Sequence, residues 1–149
     1  MLIEKFENIY IAYMQRSGIY GTENKKLMET FKMYIRQKNL FDENTTILGI
    51  ALDDPSMIPT DQLRYRVGIV TNMVEENCEL PIYKVPDGLY AIFEVSHNEN
   101  EIYEFWNNIA KLTRNIPIDN NRPIIERYSS KKLSQHLCEF CIPIKELID

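Results

Sequence analysis

The chain has 149 residues, of which 44% are hydrophobic and 26% charged, a composition that suits one domain with its own apolar core. Its 17 basic and 22 acidic residues give a net charge of −5, and an acidic chain is not attracted to a phosphate backbone, so we expect no direct binding of nucleic acid. Because the N-terminus shows no signal-peptide pattern and no apolar run approaches the roughly 20 residues of a membrane span, we predict a cytoplasmic protein without membrane contact.

The first half of the chain predicts a strand, a helix and two further strands. Residues 9–15 are almost wholly apolar and rich in Ile and Tyr, which is typical of a strand. From Thr22, which can cap a helix, apolar residues recur at helical spacing to about Asn39. Residues 45–52 and 63–71 are then predicted as strands, separated by an irregular segment that begins with Asp-Asp-Pro.

The second half repeats this order. Residues 79–85 predict a short strand, and residues 89–95 predict a longer one. Asn98 and Glu101 have the spacing of a capping box, and an apolar helical stripe follows to about Arg114. After a loop, two strands are predicted over 124–128 and 137–144.

The repeated order of strand, helix, strand and strand indicates an internal duplication. We predict one α+β domain over residues 1–149, with a first repeat of about 1–73 and a second of about 78–146. The two units would pair into one antiparallel sheet with both helices on one face. The opposite face would then hold a ligand groove along the pseudo-twofold axis.

Three cysteines, two histidines and five glycines give little sign of chemistry. Cys138 and Cys141 lie in a predicted strand, where residues three apart point to opposite faces, so the pair is not expected to share a metal with Cys78 or anything else. His97 and His136 are isolated, and no glycine-rich phosphate loop occurs. We therefore predict no metal, no cofactor and no catalytic residues.

The aromatic residues are the one unusual feature of the composition. There are nine Tyr, six Phe and one Trp. Tyr tolerates a half-wet wall, so this content is compatible with a pocket for flat ligands. The alternative is the ordinary preference of Tyr for β-sheets.

Six short segments, spread in order along the chain, resemble the GyrI-like small-molecule-binding family. They are Gly-Ile-Tyr at 18–20, Asp-Asp-Pro at 53–55 with Leu-Arg-Tyr at 63–65, Gly-Leu-Tyr-Ala-Ile-Phe at 88–93, Pro-Ile-Ile-Glu-Arg-Tyr at 123–128, and Glu-Phe-Cys-Ile-Pro at 139–143. The family includes effector-binding domains of AraC- and MerR-type multidrug regulators, as well as stand-alone proteins. The resemblance implies a duplicated strand-helix-strand-strand fold and a groove for bulky, often cationic, aromatic compounds.

The resemblance also implies an acidic residue in the last strand at the centre of the site, which corresponds to Glu139. Strand alternation places Glu139 on the face away from the helices, where its carboxylate would offset a ligand cation. Five aromatic residues complete the predicted ligand-binding set: Tyr13, Tyr65, Tyr90, Tyr128 and Trp106. Glu94 is predicted to be a solvated or paired residue of the sheet.

We therefore predict a stand-alone protein that binds cationic aromatic compounds, for sensing or sequestration, without a DNA-binding region of its own. Two alternatives stay open. The protein could hydrolyse reactive, cyclopropane-bearing genotoxins, with Glu139 activating water and a Tyr assisting. It could instead be an interaction module for DNA gyrase or for a regulator protein.

Overall fold

The computed structural model of the chain describes residues 2–71 and 79–146. The expected boundary between the repeats, at 73–78, and the thiol of Cys78 lie outside the described residues. The strands and α-helices of the described residues, in chain order, are β1 (Leu2–Phe6), β2 (Tyr10–Ser17), α1 (Thr22–Gln37), β3 (Thr46–Ala51), β4 (Arg64–Thr71), β5 (Ile82–Lys84), β6 (Gly88–Ser96), α2 (Glu99–Leu112), β7 (Ile125–Ser129), α3 (Ser130–Leu133) and β8 (Leu137–Ile144). A short 3-10 helix, Thr60–Gln62, precedes β4.

The two long helices form where the apolar spacing predicts them. Helix α1 buries Met28, Phe31 and Ile35, which recur every three to four residues. Helix α2 begins after Asn98, whose side chain accepts the backbone N–H of Glu101 at 2.8 Å, as the capping-box spacing predicts. Thr22 is the first residue of α1 and not its cap, because Gly21 holds that position without a side-chain bond. None of the helices in the described part of the chain is long and apolar enough to cross a membrane.

The described strands form one antiparallel sheet in the order β1-β6-β8-β7-β3-β4-β2-β5. The unit β2-α1-β3-β4 is repeated as β6-α2-β7-β8, and β7 pairs with β3 at the centre. The two short edge strands are exchanged between the halves, since β1 pairs with β6 and β5 pairs with β2. The predicted α+β class and the antiparallel sheet with both long helices on one face are confirmed, whereas β1 is an additional strand.

Apolar side chains cover both faces of this sheet. On the helix side, Phe31 of α1 and Phe105 of α2 pack with Val67, Phe140 and other residues of the strands. A second buried cluster fills the other face and includes residues from both edges of the sheet: Phe6, Ile11, Leu48, Ile50, Val85, Tyr90, Ile92, Ile125 and Cys141. A sheet whose two edges share one cluster must be curled. The curled sheet thus fills this face, on which the sequence predicts the groove, with its own side chains.

Candidate functional site

A cavity of about 1150 Å³ lies between α1 and α2, on the helix side of the sheet. Helix α1 contributes Met28 and Lys32 to its wall, and α2 contributes Ile102 and Trp106. The strands below the helices supply the floor, from both halves of the chain. The floor residues with polar groups are Tyr65, Glu126 and Tyr128.

Glu126 is the acidic residue of the cavity floor. It lies on β7, opposite Gly49 of β3 and Phe140 of β8. Tyr65 donates its hydroxyl proton to Oε1 of Glu126 at 3.2 Å, and Tyr128 donates to Oε2. Each carboxylate oxygen therefore receives a phenol, and among the described residues no basic side chain forms an ion pair with Glu126.

The environment of these three groups favours a neutral pair of phenols beside a poorly solvated carboxyl. Burial raises the pKa of Glu126 above its ordinary value, and the two phenol hydrogen bonds offset part of that rise. Burial and the neighbouring Glu126 raise the pKa of Tyr65 and of Tyr128 well above 10. Both phenols therefore stay protonated and act as donors to the carboxylate.

Gly49 provides the space in which the Tyr65 hydroxyl meets Glu126. A Cβ at this position would overlap the Tyr65 hydroxyl, lie 3.2 Å from Cζ of that ring and 3.5 Å from Cδ of Glu126. The absence of a side chain on β3 thus lets a phenol from β4 reach a carboxylate on β7 across the central strand.

Three other acidic side chains of the wall have cationic partners. Asp53 receives two hydrogen bonds from the guanidinium of Arg64, at 2.9 and 3.0 Å, which hold the pKa of Asp53 below its ordinary value. Asp119 accepts from Nε of Arg122 at 3.0 Å. Glu99 at the start of α2 pairs with Lys25 of α1, which joins the two helices beside the cavity. The half-buried carboxylate of Glu126 differs from these three, because its hydrogen-bond donors are phenols and not cations.

Aromatic rings surround the floor. Trp106 lines the cavity and is 38% exposed, and its indole meets the Phe140 ring edge-on at a centroid distance of 5.3 Å. His97 meets the Tyr128 ring edge-on at 5.7 Å. Burial and the charge of Lys32 lower the pKa of His97. The site can thus hold flat apolar rings against aromatic walls above one carboxylate.

Three of the predicted site residues, Tyr65, Tyr128 and Trp106, lie together at this cavity. Their role in binding a ligand stays a prediction. The structure also brings Glu126, His97 and Lys32 to the same cavity, and the sequence predicts none of these three as a ligand-binding residue.

The other three predicted residues lie on the opposite face of the sheet. Glu139 is buried beside Arg127, whose Nε and Nη2 donate to its two oxygens at 3.0 and 3.1 Å. Tyr90 is 0% exposed and stacks on Phe6. Tyr13 packs edge-on against the Tyr83 ring, and its own ring lies under the guanidinium of Arg66 at 4.4 Å.

The expectation that Glu139 presents an unpaired carboxylate to a groove is therefore wrong. Strand alternation placed its side chain on the correct face, away from the helices, but the cavity lies on the other face. Arg127 lies directly opposite Glu139 in the β7–β8 register. It therefore neutralises the Glu139 carboxylate on the face of the sheet that is away from the helices. Glu94 is paired, as predicted, because Lys132 binds it at 2.5 Å.

A signal for Glu126 was present in the sequence. The segment Pro-Ile-Ile-Glu-Arg-Tyr at 123–128 resembles a family motif in which the acidic residue precedes the Tyr by two positions. Residues two apart on a strand share a face, so Glu126 is expected to lie on the same face as Tyr128.

The same alternation places Cys138 and Cys141 on opposite faces, as predicted, since each belongs to a different apolar cluster.

Comparisons with known proteins agree along the whole described chain. Residues 2–145 match the model of the GyrI-like small-molecule-binding domain. Over 147 residues, covering 96% of this chain and 97% of the relative, the sequence is 41% identical to YosT of Bacillus subtilis (strain 168). That protein derives from the SPbeta prophage and is provisionally assigned as a transcriptional regulator.

Solved structures share the fold at low sequence identity. SAV2435, solved with bound tetraphenylphosphonium, superimposes with a TM-score of 0.67 at 12% identity, covering 97% of this chain and 93% of the other. The C-terminal domain of EcmrR gives a TM-score of 0.67 at 6% identity, covering 98% and 97% of the two chains.

Proposed function

This chain belongs to the GyrI-like family of small-molecule-binding domains, and on that premise we propose that its cavity binds cationic aromatic compounds. Aromatic rings of the ligand would pack between Tyr65, Tyr128 and Trp106. Its positive charge would lie near the carboxylate of Glu126. Such binding requires no covalent chemistry, and it would serve to sense or sequester the compound.

The observation that carries this proposal is a half-buried carboxylate that no cationic side chain of the described residues pairs with. Glu126 lies at the floor of a cavity of about 1150 Å³, and two phenols are its hydrogen-bond donors. A carboxylate removed from water is destabilised unless a positive charge compensates it. A delocalised aromatic cation offers that charge and is itself weakly hydrated, so it gives up little on entering the cavity.

A bound cation in a structural relative supports the same conclusion. SAV2435 was solved with tetraphenylphosphonium, a bulky cation that carries four phenyl rings. Because the identity to that chain is 12%, the likeness concerns the fold, and binding of such a cation to the present chain is our proposal.

Two ions of equal shape and opposite charge test the proposal by calorimetry. Tetraphenylphosphonium should bind the purified protein, whereas tetraphenylborate should bind at least about tenfold more weakly, because a carboxylate attracts the first and repels the second. Triphenylphosphine oxide serves as a neutral control. Equal binding of the two ions would show that the cavity selects for shape alone and would contradict the proposal.

The same three side chains favour one second candidate, hydrolysis. A carboxylate beside two protonated phenols could act as general base and general acid on a strained electrophile. However, both carboxylate oxygens of Glu126 already accept a hydrogen bond from a phenol, so a water molecule would have to displace one of the two phenols. Turnover of a cyclopropane-bearing compound by the purified protein, lost in Glu126→Gln, would support hydrolysis. A gyrase or regulator partner stays a prediction that affinity capture with purified gyrase would test.

A further inference from the structure

Lys32 is a cation in the cavity wall that the proposed function does not use. It lies on α1, is half-buried, and holds its Nζ 5.7 Å from the centroid of the Tyr128 ring. Glu126 binds the hydroxyl of that same ring. One aromatic side chain therefore has a carboxylate at its polar end and an ammonium over its face.

Lys32 differs from the other basic residues of the wall. Lys25 is paired with Glu99, and Arg122 is paired with Asp119 at 3.0 Å. Within the described part of the chain, no carboxylate lies within ion-pair distance of Lys32. It is thus the basic group of the described wall whose charge the protein leaves uncompensated.

The surroundings of Lys32 do not stabilise its charge. Partial burial and the nearby guanidinium of Arg36 lower the pKa of Lys32, and Glu29 one turn away offsets this only in part. A half-buried ammonium over an aromatic ring gains some cation–π attraction, but an anion would stabilise it more. The cavity therefore presents an uncompensated positive group as well as an uncompensated negative one.

We propose that the cavity prefers dipolar aromatic ligands, which carry a carboxylate or similar anion besides their cation, and that Lys32 binds the anionic group. This inference rests on the proposed function and specifies its ligand class. A ring packed against Tyr128 would have Glu126 within reach at one end and Lys32 above. A purely cationic ligand would satisfy Glu126 but would be repelled by Lys32.

Two dyes with the same cationic ring system test this preference. Rhodamine 110 has a free carboxylate, and rhodamine 123 is its methyl ester. We would measure the affinity of both dyes by fluorescence titration for the parent, for Lys32→Met, which keeps the length of the side chain, and for Lys32→Arg, which keeps the charge. Lys26→Met is the matched control, because Lys26 lies on the same helix and its exposed ammonium pairs with Glu23 outside the cavity.

The parent and Lys32→Arg should bind rhodamine 110 more tightly than rhodamine 123. In Lys32→Met the affinity for rhodamine 110 should fall about fivefold or more, while that for rhodamine 123 should stay equal or rise. Lys26→Met should behave as the parent. If the ratio of the two affinities is the same in Lys32→Met as in the parent, which includes an equal loss for both dyes, the inference is overturned.

The proposed function and this inference fail in different ways. If the parent binds neither the rhodamines nor tetraphenylphosphonium, both are wrong. If the parent binds rhodamine 123 and tetraphenylphosphonium through Glu126 but does not favour rhodamine 110, only the role of Lys32 is wrong. An increase in affinity for both dyes in Lys32→Met would also overturn the inference. It would mean that the Lys32 ammonium occupies the place over the Tyr128 ring that the cation of the ligand takes.

Discussion

Glu126 is the residue on which the chemistry of the cavity depends. The two carboxylate oxygens of Glu126 accept hydrogen bonds from the phenols of Tyr65 and Tyr128. Burial nevertheless raises the pKa of Glu126, so its negative charge is only partly stabilised in the empty protein. A pKa raised by folding means that this group stabilises the protein when protonated and loses that contribution as the pH rises through the raised value. A bound cation would restore what ionisation removes.

The first prediction replaces this charge without changing the shape of the side chain. Glu126→Gln should weaken binding of tetraphenylphosphonium about ten- to a hundredfold, since a charged contact is worth about 1.5–3 kcal/mol. The stability of the empty variant should be equal to or higher than that of the parent. Glu139→Gln is the matched control: it changes the same residue type on the other face, and should leave the affinity within about twofold. Calorimetric titration of both variants decides between the two carboxylates, and a greater loss in Glu139→Gln would refute the assignment.

A second prediction concerns the pH dependence of cation binding. The pKa of Glu126 is raised from 4.5 by burial, and the pKa of His97 is lowered from 6.5 by burial and by Lys32. As the pH falls from 7, protonation of either group adds positive charge to the cavity, so affinity for tetraphenylphosphonium should decline steadily as the pH falls towards 4.5, the ordinary value above which the pKa of Glu126 is raised. In Glu126→Gln most of this decline should disappear. An affinity that is constant from pH 7 down to 4.5 in the parent would be inconsistent with a binding carboxylate of raised pKa.

The third prediction tests the space at Gly49. Gly49→Ala should destabilise the protein by about 1–3 kcal/mol and weaken cation binding, because the new methyl group displaces the Tyr65 hydroxyl from Glu126. Tyr65→Phe removes that hydroxyl, so the same substitution should be less destabilising in the Tyr65→Phe background. A double-mutant cycle measured by urea unfolding gives this coupling. Equal destabilisation in both backgrounds would show that the overlap lies elsewhere.

At the scale of single elements, β7 serves both faces of the sheet. Glu126 and Tyr128 face the cavity, whereas Arg127 between them faces the filled side. Arg127 binds Glu139 of β8 and also Glu4 of β1, at 2.7 and 3.2 Å. Burial alone would lower the pKa of Arg127, but these two carboxylates keep it above its ordinary value. This ion cluster connects the edge strand β1 to the centre of the sheet and fixes β7 beneath the cavity.

The fourth prediction removes the centre of that cluster. Arg127→Met should destabilise the protein by about 3 kcal/mol, because it leaves the buried carboxylate of Glu139 without a partner. Adding Glu139→Gln to this variant should restore part of the loss. Urea unfolding of the two variants measures both effects. A loss below about 0.5 kcal/mol in Arg127→Met would mean that the cluster contributes little to stability.

The elements themselves could largely be predicted from the sequence. Periods of two and of 3.6 residues gave both long helices and most strands to within a few residues, as with β8 at residues 137–144. Strand β1 was missed because the five residues Leu-Ile-Glu-Lys-Phe show little contrast between the two faces and are held by pairing with β6. The partner of a charged side chain, as with Arg127 and Glu139, depends on strand register, which a single sequence does not contain.

At the scale of the whole molecule, the duplication sets the position of the site. The two long helices lie on the same face, and the cavity opens between them above the β3–β7 pair at the centre of the sheet. Its wall therefore takes residues from both halves, such as Tyr65 from the first and Tyr128 from the second.

The face that carries the site could not be predicted from strand patterns. Alternation sorts residues into two sets, but it does not tell which set a curled sheet covers with its own edges. Phe6 ends the edge strand β1, and Val85 follows the edge strand β5. Both side chains belong to the apolar cluster that fills the face on which the sequence predicts the groove. The helices, by contrast, pack at their inner residues Phe31 and Phe105 and leave space between them.

The central claim is that a cation binds between the two helices and next to Glu126. Crystals of the protein grown with tetraphenylarsonium test it most directly, because the anomalous signal of arsenic locates the charged atom. The account predicts one arsenic atom in the cavity, with phenyl rings against Tyr128 and Trp106 and the carboxylate of Glu126 as the nearest charged group. An arsenic atom on the opposite face of the sheet, beside Tyr13 or Glu139, would contradict it.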